Sequence, residues 1–193
     1  MSAHGRAGDP GRRADGIAGV TQHPPLRDGR EVFQDLMARR VNEIILVSSL
    51  YDTFILREDG RLSDLILGEF LELNLHHTSG LTHVSSGEEA LRLAAEQPDR
   101  YNLIVTAVNA GDMDAAELAR RARTAVPPTP VILLAYDGGS LNDFMSHRPV
   151  SDLERIFLWP GDAHILLAVI KYMEDKWNVE HDTGEAGVPI ILF

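Results

Sequence analysis

The sequence predicts an α/β protein built on a doubly wound, five-stranded parallel sheet. Three observations carry this reading. Short apolar runs alternate with amphipathic stretches along most of the 193 residues. The runs are continuously apolar rather than alternating, as in strands covered on both faces. Helix-start signals and helix breakers fall between them at the short intervals of strand–helix repeats.

The first 25 residues are rich in Gly, Pro, Arg and Ala. Such a composition buries too little surface to offset the entropy of ordering, so a flexible tail is expected over 1–25; a nucleic-acid-binding arm is the other reading. Asp28 with Glu31 has capping-box spacing, and Val32, Phe33, Leu36, Met37 and Val41 share a face. This predicts an extra N-terminal helix from Asp28 to Arg40 that docks on the body of the domain.

Ile44 to Val47 reads as the first strand. A loop around Glu58-Asp59-Gly60 precedes a helix over Leu65 to Leu75. Leu81 to Val84 is the second strand, and Ser85 and Ser86 followed by Glu88 and Glu89 open a helix that stops before Pro98. Leu103 to Thr106 is the third strand. Asp112 and Asp114 start the next helix, and Arg120, Arg121 and Arg123 end it, in keeping with the helix dipole. Pro127, Pro128 and Pro130 break the chain before a fourth strand, Val131 to Leu134. Gly138-Gly139 after Asp137 reads as a turn, Leu141 to Met145 as a weaker helix and Ile156 to Leu158 as the fifth strand. A long last helix runs from Ala163 to Trp177. Five strands in this pattern fit a flavodoxin-like fold. Its sites lie at the carboxyl ends of the strands, here Ser48-Ser49, Ala107, Ala135 and Trp159.

The stretch YNLIVTAVNAGDMDAAELARRAR, Tyr101 to Arg123, resembles the third strand, loop and third helix of the receiver domains of two-component response regulators. VSSGEEAL, TPVILLAY and RIFLWPGD are similar to three further pieces of that family. The resemblance spans Asn42 to Asn178. It implies a phosphorelay framework in which two acids after the first strand help to hold Mg²⁺. An aspartate after the third strand takes the phosphoryl group, a Thr or Ser follows the fourth strand, and a lysine precedes a proline after the fifth. Here those positions hold Ser48 and Ser49, Ala107, Ala135, and Trp159 before Pro160. Hydroxyls and methyls supply neither a nucleophilic carboxylate nor the charge that holds Mg²⁺. The resemblance therefore implies a degenerate pseudo-receiver with a neutral plug at its phosphorylation site. Asp52 is the one nearby acid.

Other chemistry is weakly signalled. His76, His77 and His83 are either metal ligands or polar loop residues, and no recognisable ligand set accompanies them. No GxSxG or GK[ST] motif is present. No enzymatic activity, cofactor or metal is expected. The net charge of −11 argues against nucleic-acid binding, and no apolar run is long enough to span a membrane. The absence of cysteine and of a signal-peptide stretch makes the cytoplasm the expected compartment.

The last helix is apolar around most of its circumference. Leu166, Ile170, Met173 and Trp177 are therefore expected at a partner interface, for instance a homodimer. The alternative is that the initial helix covers them. The domain proper is expected to span 26–180. Residues 181–193 read as a linker and the start of a truncated following domain, since Val188 to Phe193 has the look of another first strand. The region around NVEHDT is similar to multidomain proteins of the phosphoenolpyruvate synthase or pyruvate phosphate dikinase type, which implies an N-terminal module. The expected function is regulation or scaffolding through protein contacts with a fused or separate partner. The alternative is a small-molecule sensor with its pocket near Trp159, Ala107 and Tyr136.

Overall fold

The structure, a computed structural model, describes residues 37–48, 79–159 and 164–186. In it lie β1 (Glu43–Val47), β2 (Gly80–Val84), α1 (Gly87–Glu96), β3 (Tyr101–Thr106), α2 (Ala115–Thr124), β4 (Val131–Ala135), α3 (Gly138–His147), β5 (Arg155–Leu158) and α4 (Ile165–Ala186). The sheet has the order β2-β1-β3-β4-β5, and each neighbouring pair is parallel. This is the flavodoxin-like, doubly wound architecture. The expected helix over Leu65 to Leu75 and most of the one starting at Asp28 lie outside the described residues.

The period of two along each strand sends its side chains to opposite faces. Ile44 and Leu46, Leu103 and Val105, and Ile132 and Leu134 form one core with Leu166, Val169, Ile170 and Met173 of α4. Ile45, Val47, Ile104 and Val131 face the other way, onto Ala90 and Ala94 of α1 and onto Leu118, Ala119 and Ala122 of α2. Small residues on these helices let the backbone approach the sheet closely.

Side-chain caps fix the helix starts. Ser86 accepts from the Glu89 N–H, Asp114 from the Glu117 N–H and Asp137 from the Ser140 N–H. Gly138-Gly139 is thus the first turn of α3 rather than a separate turn. Asp112 does not serve α2. It accepts from the N–H groups of Gly87 and Glu88 at 2.7 and 3.2 Å, at the start of α1.

Three further expectations are corrected. The initial helix does not reach Arg40: residues 37–40 are non-helical, and Met37 has φ +58°. The last helix does not end at Trp177 but continues to Ala186, so residues 181–186 are helical rather than a linker. Leu166, Ile170 and Met173 do not form an outer interface. They are 0–2% exposed and pack against the sheet, because this helix lies over the centre of its apolar face. Trp177 is half-buried beside the same core, with the Arg39 guanidinium 5.3 Å above its ring.

Residues 37–41 run along α4 instead. The N–H groups of Met37, Arg39 and Val41 donate to Asp182, Asn178 and Glu174 respectively, at 3.1, 2.8 and 3.0 Å. Asn178 also donates from Nδ2 to the Arg39 carbonyl at 2.6 Å. Acceptors every fourth residue along the helix thus meet donors at every second residue of this segment.

Candidate functional site

β1 and β3 lie side by side, but the chain leaves them towards opposite edges of the sheet. This is the switch point at which doubly wound folds open a crevice at the carboxyl ends of the strands. Ser48 and Ala107 end those two strands. The Ala107 N–H donates to the Val47 carbonyl at 3.2 Å and the Ser48 N–H to the Val84 carbonyl at 3.3 Å, so both residues are held by the sheet ladder. Ala135 closes β4, and the Trp159 N–H donates to its carbonyl at 2.7 Å. The structure therefore brings Ser48, Ala107, Ala135 and Trp159 to one end of one sheet. Ser49 and Asp52 lie outside the described residues.

A cavity of about 320 Å³ opens at this end. Ala107, Tyr136, Asp137 and Ser140 line it, together with Ser85 and Asn109. Ser48, Ala135 and Trp159 are 5%, 1% and 2% exposed and are not among its lining residues. The expected plug is therefore not what Trp159 makes. Its indole turns inward to the core that contains Leu134 and Leu166, and the Tyr136 ring packs against it at 4.7 Å between centroids. A large apolar ring gains more by leaving water than by standing in a polar mouth.

The loop after β3 shapes one wall. Gly111 has φ +82°, a left-handed conformation, and a β-carbon there would fall 2.2 Å from the Ser85 carbonyl oxygen. Only glycine fits this approach. The Asn109 side chain accepts from the Gly111 N–H at 3.0 Å, and the Gly87 N–H donates to the Ala110 carbonyl at 2.9 Å. Loop and α1 are thereby locked together.

The electrostatics do not suit a phosphoryl dianion. No lysine or arginine is among the residues lining the cavity. The acid there is Asp137, whose carboxyl is held below its ordinary pKa, first by the Ser140 N–H and then by the Ser140 hydroxyl. Those bonds commit it to capping α3. Of the three histidines read as metal candidates, His83 alone is described. Its Nε2 lies 3.1 Å from the Ser48 carbonyl oxygen. Among the described residues no group of three or more His, Cys, Asp or Glu could hold a metal ion.

The sequence had not singled out Ser85, Asn109, Asp137 or Ser140 as site residues. The spacing of Asp137 and Ser140 is a helix-cap signal, legible in principle; the contribution of Ser85 needed the strand order.

No family model matches the sequence, and no curated protein matches it. Solved structures do match the fold. A response regulator receiver domain protein from Clostridium thermocellum superposes with a TM-score of 0.51 at 17% identity, covering 70% of this chain and 96% of that one. A sensor protein from a Polaromonas species gives 0.51 at 16% identity, over 70% of this chain and 97% of its own. A streptococcal protein, described among redox sensors that evolved from two-component response regulators, gives 0.50 at 18% identity, over 78% and 57%. The chain has the fold of receiver domains. No helix among the described residues is long and apolar enough to cross a membrane.

Proposed function

We propose that this chain is a receiver-like signalling module that does not accept a phosphoryl group and works through protein contacts. One observation carries the reading. Ala107 ends the middle strand at the switch point, where receiver chemistry requires a carboxylate, and the cavity beside it has no cationic residue. A methyl group is not a nucleophile, and one committed carboxylate is a poor Mg²⁺ site. The module has no catalytic role of its own and acts in the cytoplasm. It regulates a fused or separate domain, such as a following domain of the phosphoenolpyruvate synthase or pyruvate phosphate dikinase type. A homodimer through Leu166, Ile170 and Met173 is not part of the proposal, since these side chains are core. Tyr136, Met145 and Leu158 are 41%, 46% and 56% exposed and belong to the β4–α3–β5 edge, which favours contact there.

The test is incubation of the full chain with acetyl phosphate and Mg²⁺, followed by intact-mass measurement. No phosphoryl adduct is expected; stoichiometric acid-labile phosphate overturns the reading.

The cavity supports a second reading, a small-molecule sensor. Its volume of about 320 Å³ falls in the usual range of ligand sites, with Tyr136 as an aromatic wall. A small-molecule panel read by thermal shift tests it. Hits should vanish in Ala107→Trp, which fills the space; hits that persist in that variant count against this pocket.

A further inference from the structure

The opposite end of the sheet carries a larger feature that the degenerate site does not explain. A groove of about 990 Å³ runs across the amino ends of the strands, past Asn42, Tyr101, Pro130 and Glu154. Its volume is near the top of the roughly 300–1,000 Å³ typical of small-molecule sites.

Its framework is rigid. Asn42 and Asn102 tie the entry to β1 onto β3: the Asn42 N–H donates to Asn102 Oδ1 at 2.9 Å, and Asn102 Nδ2 donates to the Arg40 carbonyl at 2.7 Å. Pro127, Pro128 and Pro130 form another wall with fixed φ angles. A preformed groove limits the entropy lost when a partner binds.

The groove inverts the charge of the protein. Arg123 pairs with Asp152 at 3.0 Å, and Lys176 pairs with Glu154. Arg39 and Arg40 also line the groove, and neither has an ion-pair partner among the described residues. Arg39 instead lies 5.3 Å over the ring of Trp177. Two guanidinium groups without carboxylate partners among the described residues, on a chain of net charge −11, mark where an anionic partner meets attraction rather than repulsion. The prolines, the Trp177 ring and Val126, which is 93% exposed beside that wall, add apolar surface.

We infer that this groove docks an acidic peptide segment carrying apolar residues. A nucleic acid would offer many phosphates to two arginines while meeting the negative field of the rest of the chain. A peptide with a few carboxylates and leucines matches both the charge and the apolar walls.

The experiment uses the full chain and a fluorescein-labelled peptide of alternating glutamate and leucine, followed by fluorescence anisotropy. A glutamine–leucine counterpart and a labelled thymidine oligonucleotide are the comparison probes. The glutamate peptide is expected to bind, and Arg40→Glu to weaken it about tenfold or more. Arg92→Glu on α1 makes the same change in net charge at a residue that does not line the groove and should leave binding unchanged. Arg39→Gln, which keeps the backbone bond to Asn178, provides a second variant if Arg40→Glu lowers the melting temperature. The inference is overturned if the peptide fails to bind at millimolar concentration, if the glutamine peptide binds equally well, or if neither arginine variant weakens binding. It is also overturned if Arg92→Glu weakens binding as much, or if the oligonucleotide binds more tightly than the glutamate peptide.

Discussion

The backbone N–H of Val41 donates to the carboxylate of Glu174 at 3.0 Å, across 133 residues of sequence, and both residues are buried. The bond is one rung of the ladder that fastens residues 37–41 to α4. A buried N–H without an acceptor costs about 1–3 kcal/mol.

Glu174→Ala is therefore expected to destabilise the chain by about that amount, and Glu174→Gln by less, since an amide oxygen still accepts. Urea unfolding of both variants checks this. Equal stability of all three proteins would mean that the rung contributes nothing. Asn178→Ala should show coupling to Glu174→Ala in a double-mutant cycle, because the two side chains hold one segment.

Gly111→Ala is expected to unfold more readily than the parent by about 2 kcal/mol or more, since it combines a left-handed φ with a collision against the Ser85 carbonyl. Thermal melting reads the loss. Gly138→Ala is the contrast, as nothing lies within 4 Å of a β-carbon there.

Asp112 gives a pH prediction. Burial pushes its carboxyl up, but backbone N–H groups, those of Gly87 and Glu88 first, together with the charge of Arg121 outweigh that, and the net pKa lies below the ordinary aspartate value. A lowered folded-state pKa means the contribution is fully present above the unfolded value. It is lost as pH falls through the folded one. Asp112→Asn should flatten the stability profile below about pH 4 and change its shape little at pH 7 and above. Melting temperatures across that range decide the point; an unchanged acid limb in the variant would contradict it.

On the proposed reading, Ala107→Asp supplies a carboxylate at the end of β3 without changing its surroundings. With Ser48 and the Trp159 indole buried and no cationic residue lining the cavity, no stoichiometric phosphorylation by acetyl phosphate and Mg²⁺ is expected. Intact-mass spectrometry reads it directly. A full phosphoryl adduct would mean that the rest of the site is still competent.

How much could be read in advance differs from element to element. Ile44 to Val47 and Val131 to Leu134 declared themselves because a strand buried on both faces needs an unbroken apolar run. Ser86, Asp114 and Asp137 stand at the starts of α1, α2 and α3, where a short oxygen acceptor satisfies a free N–H. Asp112 was legible as a cap, but not as the cap of α1, because that pairing depends on where the loop after β3 lands. The clustering of Ser48, Ala107, Ala135 and Trp159 at one end follows from strand order, which alternation of strands and helices constrains strongly.

Trp159 and the last helix were harder. A bulky residue at a strand end can fill a mouth or turn into the core, and only its packing with Leu134, Leu166 and Tyr136 decided between them. Leu166, Ile170 and Met173 looked like an excess of apolar surface until the breadth of the sheet beneath α4 absorbed them.

By itself the sequence determined the parallel α/β framework and the methyl side chain at the end of its third strand, because apolar runs, cap residues and the identity of Ala107 are local properties. Only the tertiary structure decided that Glu174 and Asn178, and Asp182 in the stretch expected to be a linker, are buried acceptors. Their partners are the N–H groups of residues 37–41, and a hydrogen bond between segments more than 130 residues apart leaves no periodic trace in either one.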